Sequence, residues 1–160
     1  MEKDWKGNSR STYVILGASN HTDKEREEND FYATDPRAID DLLKYESFNE
    51  NIWECACGKG HLSKRLKERG YKVYSTDLIN RGYGDAFFDY LSLLENPIYE
   101  WDGDIITNPP YKFTTEFILR SLDLIKDGNK VAMFLKLQTL EGQDRYKKIY
   151  KNNPPKYIYI

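Results

Sequence analysis

Four consecutive residues, Asn108-Pro109-Pro110-Tyr111, carry the clearest chemistry in the chain. Two prolines fix the backbone and remove two N–H donors, so carbonyl oxygens are left to face a ligand. The Asn108 side-chain oxygen and the Pro109 carbonyl place two acceptors on one short turn. Such a pair suits an amino group attached to an aromatic ring. That nitrogen is a poor nucleophile because its lone pair is delocalised into the ring. Accepting both of its hydrogens favours a pyramidal nitrogen with a localised lone pair. Tyr111 adds a flat face on which a base drawn out of a duplex can stack. No strong base is required, because the proton becomes acidic once the nitrogen gains a substituent. Positioning and oriented dipoles do the catalytic work.

A second constellation lies fifty residues upstream. The segment Trp53-Glu54-Cys55-Ala56-Cys57-Gly58-Lys59-Gly60-His61-Leu62 joins an acidic residue inside a strand to a Gly-x-Gly turn. Two glycines there let the backbone approach a bound nucleoside closely. The dinucleotide fingerprint needs a further Gly at position 63, where this chain has Ser63, which disfavours a nicotinamide cofactor. Asp77 closes the next strand, where a carboxylate accepts from both ribose hydroxyls of an adenine nucleoside. An Asp after a strand is also an ordinary turn residue or helix cap, so both roles stay open.

The elements that position these residues follow from periodicity. Asp35 is the expected N-cap of a first helix with Pro36 at its first position and Ile39, Leu42 and Leu43 on one face. Asn51 to Ala56 reads as a buried strand. Gly58 and Gly60 open a helix with Leu62 and Leu66 inward and Gly70 as its stop. Tyr71 to Thr76 is a second strand, Ala86 to Phe88 a third, and Tyr90 to Glu95 a helical turn before Pro97. Asp104 to Thr107 is a fourth strand that runs into Asn108. A helix from Thr114 to Lys126 places Phe117, Ile118, Leu122 and Ile125 on one face. Lys130 to Leu137 is the expected fifth strand, Gly142 to Lys151 a helix, and Lys156 to Ile160 a sixth strand. Strands alternating with helices imply an α/β fold, a doubly wound, largely parallel sheet covered on both faces. Ligands in such sheets bind beyond the carboxyl ends of the strands, near the point where strand order reverses. Gly58, Asp77 and Asn108 all fall there.

Composition bounds the rest. The 160 residues suit one domain, with residues 1–29 a polar, partly disordered segment and 30–160 the catalytic domain. Net charge is −2 and the sequence pI about 5.8, which argues against a generally basic nucleic-acid coat. Two basic clusters, Lys64-Arg65-Lys67-Arg69 and Lys147-Lys148-Lys151-Lys156, read better as solvated helix faces than as binding patches. Aromatic residues make up 14%, including thirteen Tyr, and can be core filler or stacking platforms. Cys55 and Cys57 are too close for an ordinary structural disulfide and too few for a metal site, so no metal is expected. They read as small core residues in a reducing compartment. With no membrane-length apolar run and no signal-peptide core, a cytoplasmic protein is expected.

These motifs resemble those of the class I S-adenosylmethionine-dependent methyltransferases, in particular the N6-adenine DNA methyltransferases of bacteria and phages. The resemblance spans about residues 29–140. Phe31-Tyr32-Ala33-Thr34-Asp35-Pro36 is similar to the family's upstream motif that holds the methionine end of the cofactor. The family often has Thr-Pro where this chain has Thr34-Asp35-Pro36. Glu54, Cys57, Gly58 and Gly60 fit its glycine loop, and Asp77 with Leu78 its ribose-binding turn. Phe88-Asp89-Tyr90-Leu91 is similar to the element whose Asp bonds the cofactor's adenine, which implies a role for Asp89 and Tyr90. Asn108, Pro109, Pro110 and Tyr111 fit the amino-methylating motif. The resemblance implies S-adenosyl-L-methionine as cofactor and DNA as partner.

The chain departs from the family at its end. The family fold adds a seventh, antiparallel strand, whereas this sequence stops at Ile160, within the sixth. A truncated gene product, or a strand supplied by a partner chain or second copy, is expected. No separate target-recognition domain is expected, so base choice would fall to short loops, the N-terminal segment or a partner. The same tetrapeptide also serves enzymes acting on protein glutamine and on guanine N2 of RNA. A catalytically silent module that binds cofactor or partner is the reading from another class.

Overall fold

The computed structural model describes residues 34–92 and 98–160. Five parallel strands form one sheet in the order β3-β2-β1-β4-β5. They are β1 (Asn51–Glu54), β2 (Lys72–Asp77), β3 (Ala86–Phe87), β4 (Asp104–Thr107) and β5 (Val131–Met133). The order runs outward from β1 in one direction and from β4 in the other, so the reversal falls between β1 and β4. This is a Rossmann-like α/β arrangement.

Burial explains the strands. All four residues of β4 are buried, as expected of a central parallel strand with both faces covered. Alternate residues feed two cores. On one face, Ile52, Val73 and Ile106 meet Ile39 of α1 (Arg37–Leu42) and Leu62 and Leu66 of α2 (His61–Glu68). On the other, Trp53, Cys55 and Ile105 meet Phe117 and Leu124 of α3 (Thr114–Leu124), together with Tyr90. Trp53 is the hub of that second core. Tyr74, Phe88, Tyr90 and Trp101 surround its ring, and its Nε1 donates to Thr76 Oγ1 at 2.8 Å. Much of the aromatic content is therefore core filler.

Buried hydrogen bonds tie the sheet's amino end together. Asp104 accepts from the Asn49 and Lys130 backbone N–H groups, each at 2.7 Å. One carboxylate thus joins the segments that lead into β1, β4 and β5.

The structure corrects several boundaries. Helix α1 begins at Arg37 with Pro36 at its N-cap position, one residue later than expected, while Asp35 Oδ1 accepts the Arg37 N–H at 2.9 Å from just before it. The buried side of α3 is Thr114, Phe117, Ser121 and Leu124; Phe117 is there as expected, whereas Ile118, Leu122 and Ile125 are not. Two hydroxyls explain the rotation: Thr114 donates to the Tyr111 carbonyl, and Ser121 pairs with the Tyr90 hydroxyl at 2.7 Å. A satisfied hydroxyl is cheap to bury, which an apolar count misses.

Strand β5 ends at Met133, four residues before the expected limit, and a 3-10 turn covers Leu137–Leu140. The expected helix from Gly142 to Lys151 divides into α4 (Gln143–Arg145) and a π turn at Tyr146–Tyr150. Lys156 to Ile160 forms no strand. There Tyr159 instead stacks on Tyr45 at 5.6 Å and donates to Glu46, which draws the segment toward the end of α1. The polar segment 1–29, the motif residues Phe31, Tyr32 and Ala33, and half of the expected turn at Tyr90 to Glu95 lie outside the described residues.

Candidate functional site

The carboxyl ends of β1, β2 and β4 bring the sequence motifs to one edge of the sheet. After β1 the chain turns through Cys57, Gly58 and Gly60 into α2. Gly58 (φ 55°) and Gly60 (φ 77°) adopt left-handed conformations that any L side chain resists. Gly60 is required twice over, because a Cβ there would lie 2.3 Å from the Tyr83 ring. The close approach expected of a nucleoside at this glycine is made in this structure by Tyr83. Sequence reasoning passed over Tyr83, since nothing in its local context marks it. The ring also carries Lys64 Nζ at 4.9 Å, so it forms a wall between the glycine turn and α2's basic side.

Asp77 holds this turn in place. Its Oδ2 accepts the Gly58 N–H at 2.7 Å and its Oδ1 the Ile79 N–H at 3.0 Å. An ionised carboxylate offers about four lone-pair sites, so two remain for a vicinal diol. The next residue, Leu78, is 60% exposed and presents an apolar surface beside that carboxylate. The donor set therefore fits a nucleoside: a pre-oriented carboxylate for ribose and an apolar flank for a base. Asp89 is half-buried on the loop after β3, its Oδ1 accepting the Leu91 N–H at 2.9 Å.

Two residues expected to contact the cofactor are placed elsewhere. Glu54 is 2% exposed and points to the α2 face, where it accepts from Ser63 Oγ, which in turn pairs with Ser75 Oγ at 2.7 Å. Burial pushes its carboxyl up to about 8, against the opposing effect of the Ser63 hydrogen bonds. It is neutral at pH 7, and it supports the turn from beneath. The reason lies in position 63: the serine that breaks the dinucleotide fingerprint supplies the partner. Tyr90 is likewise a core residue, stacked on Phe117 at 4.9 Å with its hydroxyl paired to Ser121. Its side chain anchors the Asp89 loop from inside.

Neither cysteine is a nucleophile at neutral pH. Burial pushes both thiols up to about 12, and carboxylates near Cys57 add to the effect. Cys55 fills the second core, and Cys57 donates weakly to the Tyr83 carbonyl at 3.7 Å. Both are free thiols.

At the end of β4, Asn108 Nδ2 donates to Thr34 Oγ1 at 2.7 Å across 74 residues of sequence. Thr34 and the turn at Asn108 therefore meet in space. Asn108 Oδ1 is buried, as is Pro109. Pro110 (φ −54°, ψ 125°) is extended and leads into a 3-10 turn at Tyr111–Phe113. Tyr111 is half-buried, and Lys136, just beyond β5, places its ammonium 4.5 Å from the ring centroid. Lys136 is a second residue that sequence reasoning missed.

The expected basic clusters take other work. Arg65 and Arg69 both pair with Asp40 at 2.6 Å, and Lys148 lies 3.8 Å from Asp144. Among the described residues no group of three or more His, Cys, Asp and Glu side chains is arranged to hold a metal. Among them too, no helix is long and apolar enough to cross a membrane.

No family model matches this chain, and no curated protein matches it. Among solved structures, it is similar to a chain from Anabaena variabilis described as a methyltransferase from an antibiotic biosynthesis pathway. The two are 16% identical with a TM-score of 0.47, over 63% of this chain and 46% of the other. This chain thus matches less than half the length of that protein.

Proposed function

We propose that this chain is an S-adenosylmethionine-dependent methyltransferase acting on an exocyclic amino group, with N6 of adenine in DNA as its target. The observation that carries the reading is the bond from Asn108 Nδ2 to Thr34 Oγ1. With Nδ2 turned toward Thr34, Oδ1 is the end that would meet a substrate amino hydrogen. The Pro109 carbonyl supplies the second acceptor on the same rigid turn. Two oriented acceptors localise the lone pair of a conjugated nitrogen and stabilise the positive charge it gains.

When bound, S-adenosylmethionine supplies an electrophilic methyl group on sulfur. Asp77 and Leu78 would hold its nucleoside beside the Gly58–Gly60 turn. Thr34 belongs to the segment that the resemblance assigns to the cofactor's methionine end, and it also sets Asn108. One hydroxyl thereby couples cofactor placement to substrate placement. Tyr111 stacks on the target ring, and the amino proton leaves to water after transfer. DNA as partner and the cytoplasm as compartment belong to the same proposal, as does target choice by loops, the N-terminal segment or a partner chain.

The test is incubation with methyl-labelled cofactor and mixed DNA, RNA and glutamine-containing peptide, followed by identification of the methylated group. N6-methyladenine in DNA is the expected product. Asn108→Ala should reduce transfer by about 10²–10³-fold, as for loss of one oriented charge-stabilising group. Transfer that survives the substitution refutes the active-site assignment. Label on glutamine or on guanine N2 refutes the adenine assignment and leaves the amino-group chemistry standing.

A further inference from the structure

The cation at the mouth of the site is neither of the basic clusters visible in the sequence. Lys136 Nζ sits 4.5 Å from the Tyr111 ring centroid. Its side chain is exposed, and among the described residues no carboxylate pairs with it. Exposed apolar side chains flank the pair in sequence: Leu137 is 58% exposed and Phe113 42%, with Lys112 Nζ 5.4 Å from the Phe113 ring. Rings interleaved with lysines form the surface type that binds single-stranded or flipped-out nucleotides. A glutamine side chain offers neither a stacking face nor an anion to such a surface.

We propose that Lys136 anchors a phosphate of the nucleotide whose base stacks on Tyr111, which makes the substrate of this site a nucleic acid. This rests on the reading of Asn108 to Tyr111 as an amino-methylating turn. In this structure the ammonium covers the ring through a cation–π contact, which is weak at an exposed position. An incoming base takes over the ring face, and the displaced ammonium moves to a phosphate, within one lysine length of the base. The exchange replaces one weak contact with a stacking interaction and an ion pair, so it is favourable. The overall negative charge of the chain makes one well-placed cation count for more.

The experiment measures anisotropy of a fluorescein-labelled mixed-sequence oligodeoxynucleotide, single-stranded and duplex, against the full chain over a range of KCl. Lys136→Gln should weaken single-strand binding by about tenfold and lower the slope of log affinity against log salt by about 0.7, the share of one phosphate contact. Lys136→Arg should retain the slope, and Lys72→Gln, at the amino end of β2 on the opposite edge of the sheet, should leave both quantities unchanged. A Lys136→Gln protein with wild-type affinity and slope overturns the anchor. If that protein's parent still methylates the oligonucleotide, the amino-methylating reading stands without the anchor. Methyl transfer to glutamine peptide with none to nucleic acid overturns the nucleic-acid assignment itself.

Discussion

Replacing Glu54 by Gln separates the buried carboxyl from everything else in the glycine turn. Glu54 is 2% exposed, bonded to Ser63 and close to the Asp77 carboxylate, and burial raises its pKa from 4.5 to about 8. The folded protein therefore holds a proton that the unfolded chain gives up above pH 4.5. Between those two values the native state binds more protons, so stability falls as pH rises. Below pH 4.5 both states are protonated and the penalty vanishes. Each unit of pH in the window costs about 1.4 kcal/mol, which reaches roughly 3 kcal/mol at pH 7 and levels off above pH 8.

Gln keeps the shape and cannot ionise. The variant should match wild type near pH 4 and exceed it by roughly 3 kcal/mol at pH 7. Urea unfolding followed by tryptophan fluorescence, with Trp53 buried beside this turn, reads the difference at each pH through the linear dependence on denaturant. Curves for the two proteins that stay parallel from pH 5 to 8 would refute the account, because Glu54 would then be ionised in both states.

Three further outcomes follow from the same geometry. Gly60→Ala should destabilise by about 2–4 kcal/mol, combining left-handed strain with a clash against Tyr83. Pairing it with Tyr83→Ala in a double-mutant cycle should recover the clash and leave the strain, and strict additivity would contradict the contact. Asp77→Ala should cost about 2 kcal/mol, from two backbone N–H groups losing a charged acceptor, and abolish binding of S-adenosylhomocysteine in calorimetry. Retained ligand affinity would remove Asp77 from the site. Asp104→Ala should cost about 3 kcal/mol in urea unfolding, since its carboxylate bonds two backbone N–H groups in a buried position. A change below 1 kcal/mol would mean water replaces it freely.

Much of the fold was legible because its signals are local. The run Asp104 to Thr107 is apolar enough to be a central strand, and the structure gives it those bounds. Gly58, Gly60 and Gly70 all take positive φ, which short-range sterics allow to glycine, and they bracket α2 as the pattern implies. The carboxyl-edge meeting of Gly58, Asp77 and Asn108 followed from the alternation of strands and helices alone. The α3 face, the length of β5 and the fate of Lys156 to Ile160 were not legible in the same way. Each depends on what packs opposite, such as the Tyr90 hydroxyl for Ser121 or Tyr45 for Tyr159.

By itself, then, the sequence determined the glycine turns and the strand cores. These rest on backbone sterics and on periodic burial, which act over a few residues. Only the tertiary structure decided what each functional group touches. It turned Glu54 toward Ser63 and Ser75, set Tyr83 over Gly60, brought Thr34 to Asn108, and laid Lys136 on Tyr111. Those partners are set by the order β3-β2-β1-β4-β5, which brings distant segments to one edge of the sheet. No local pattern records that order, because it is selected by the packing of two buried faces at once.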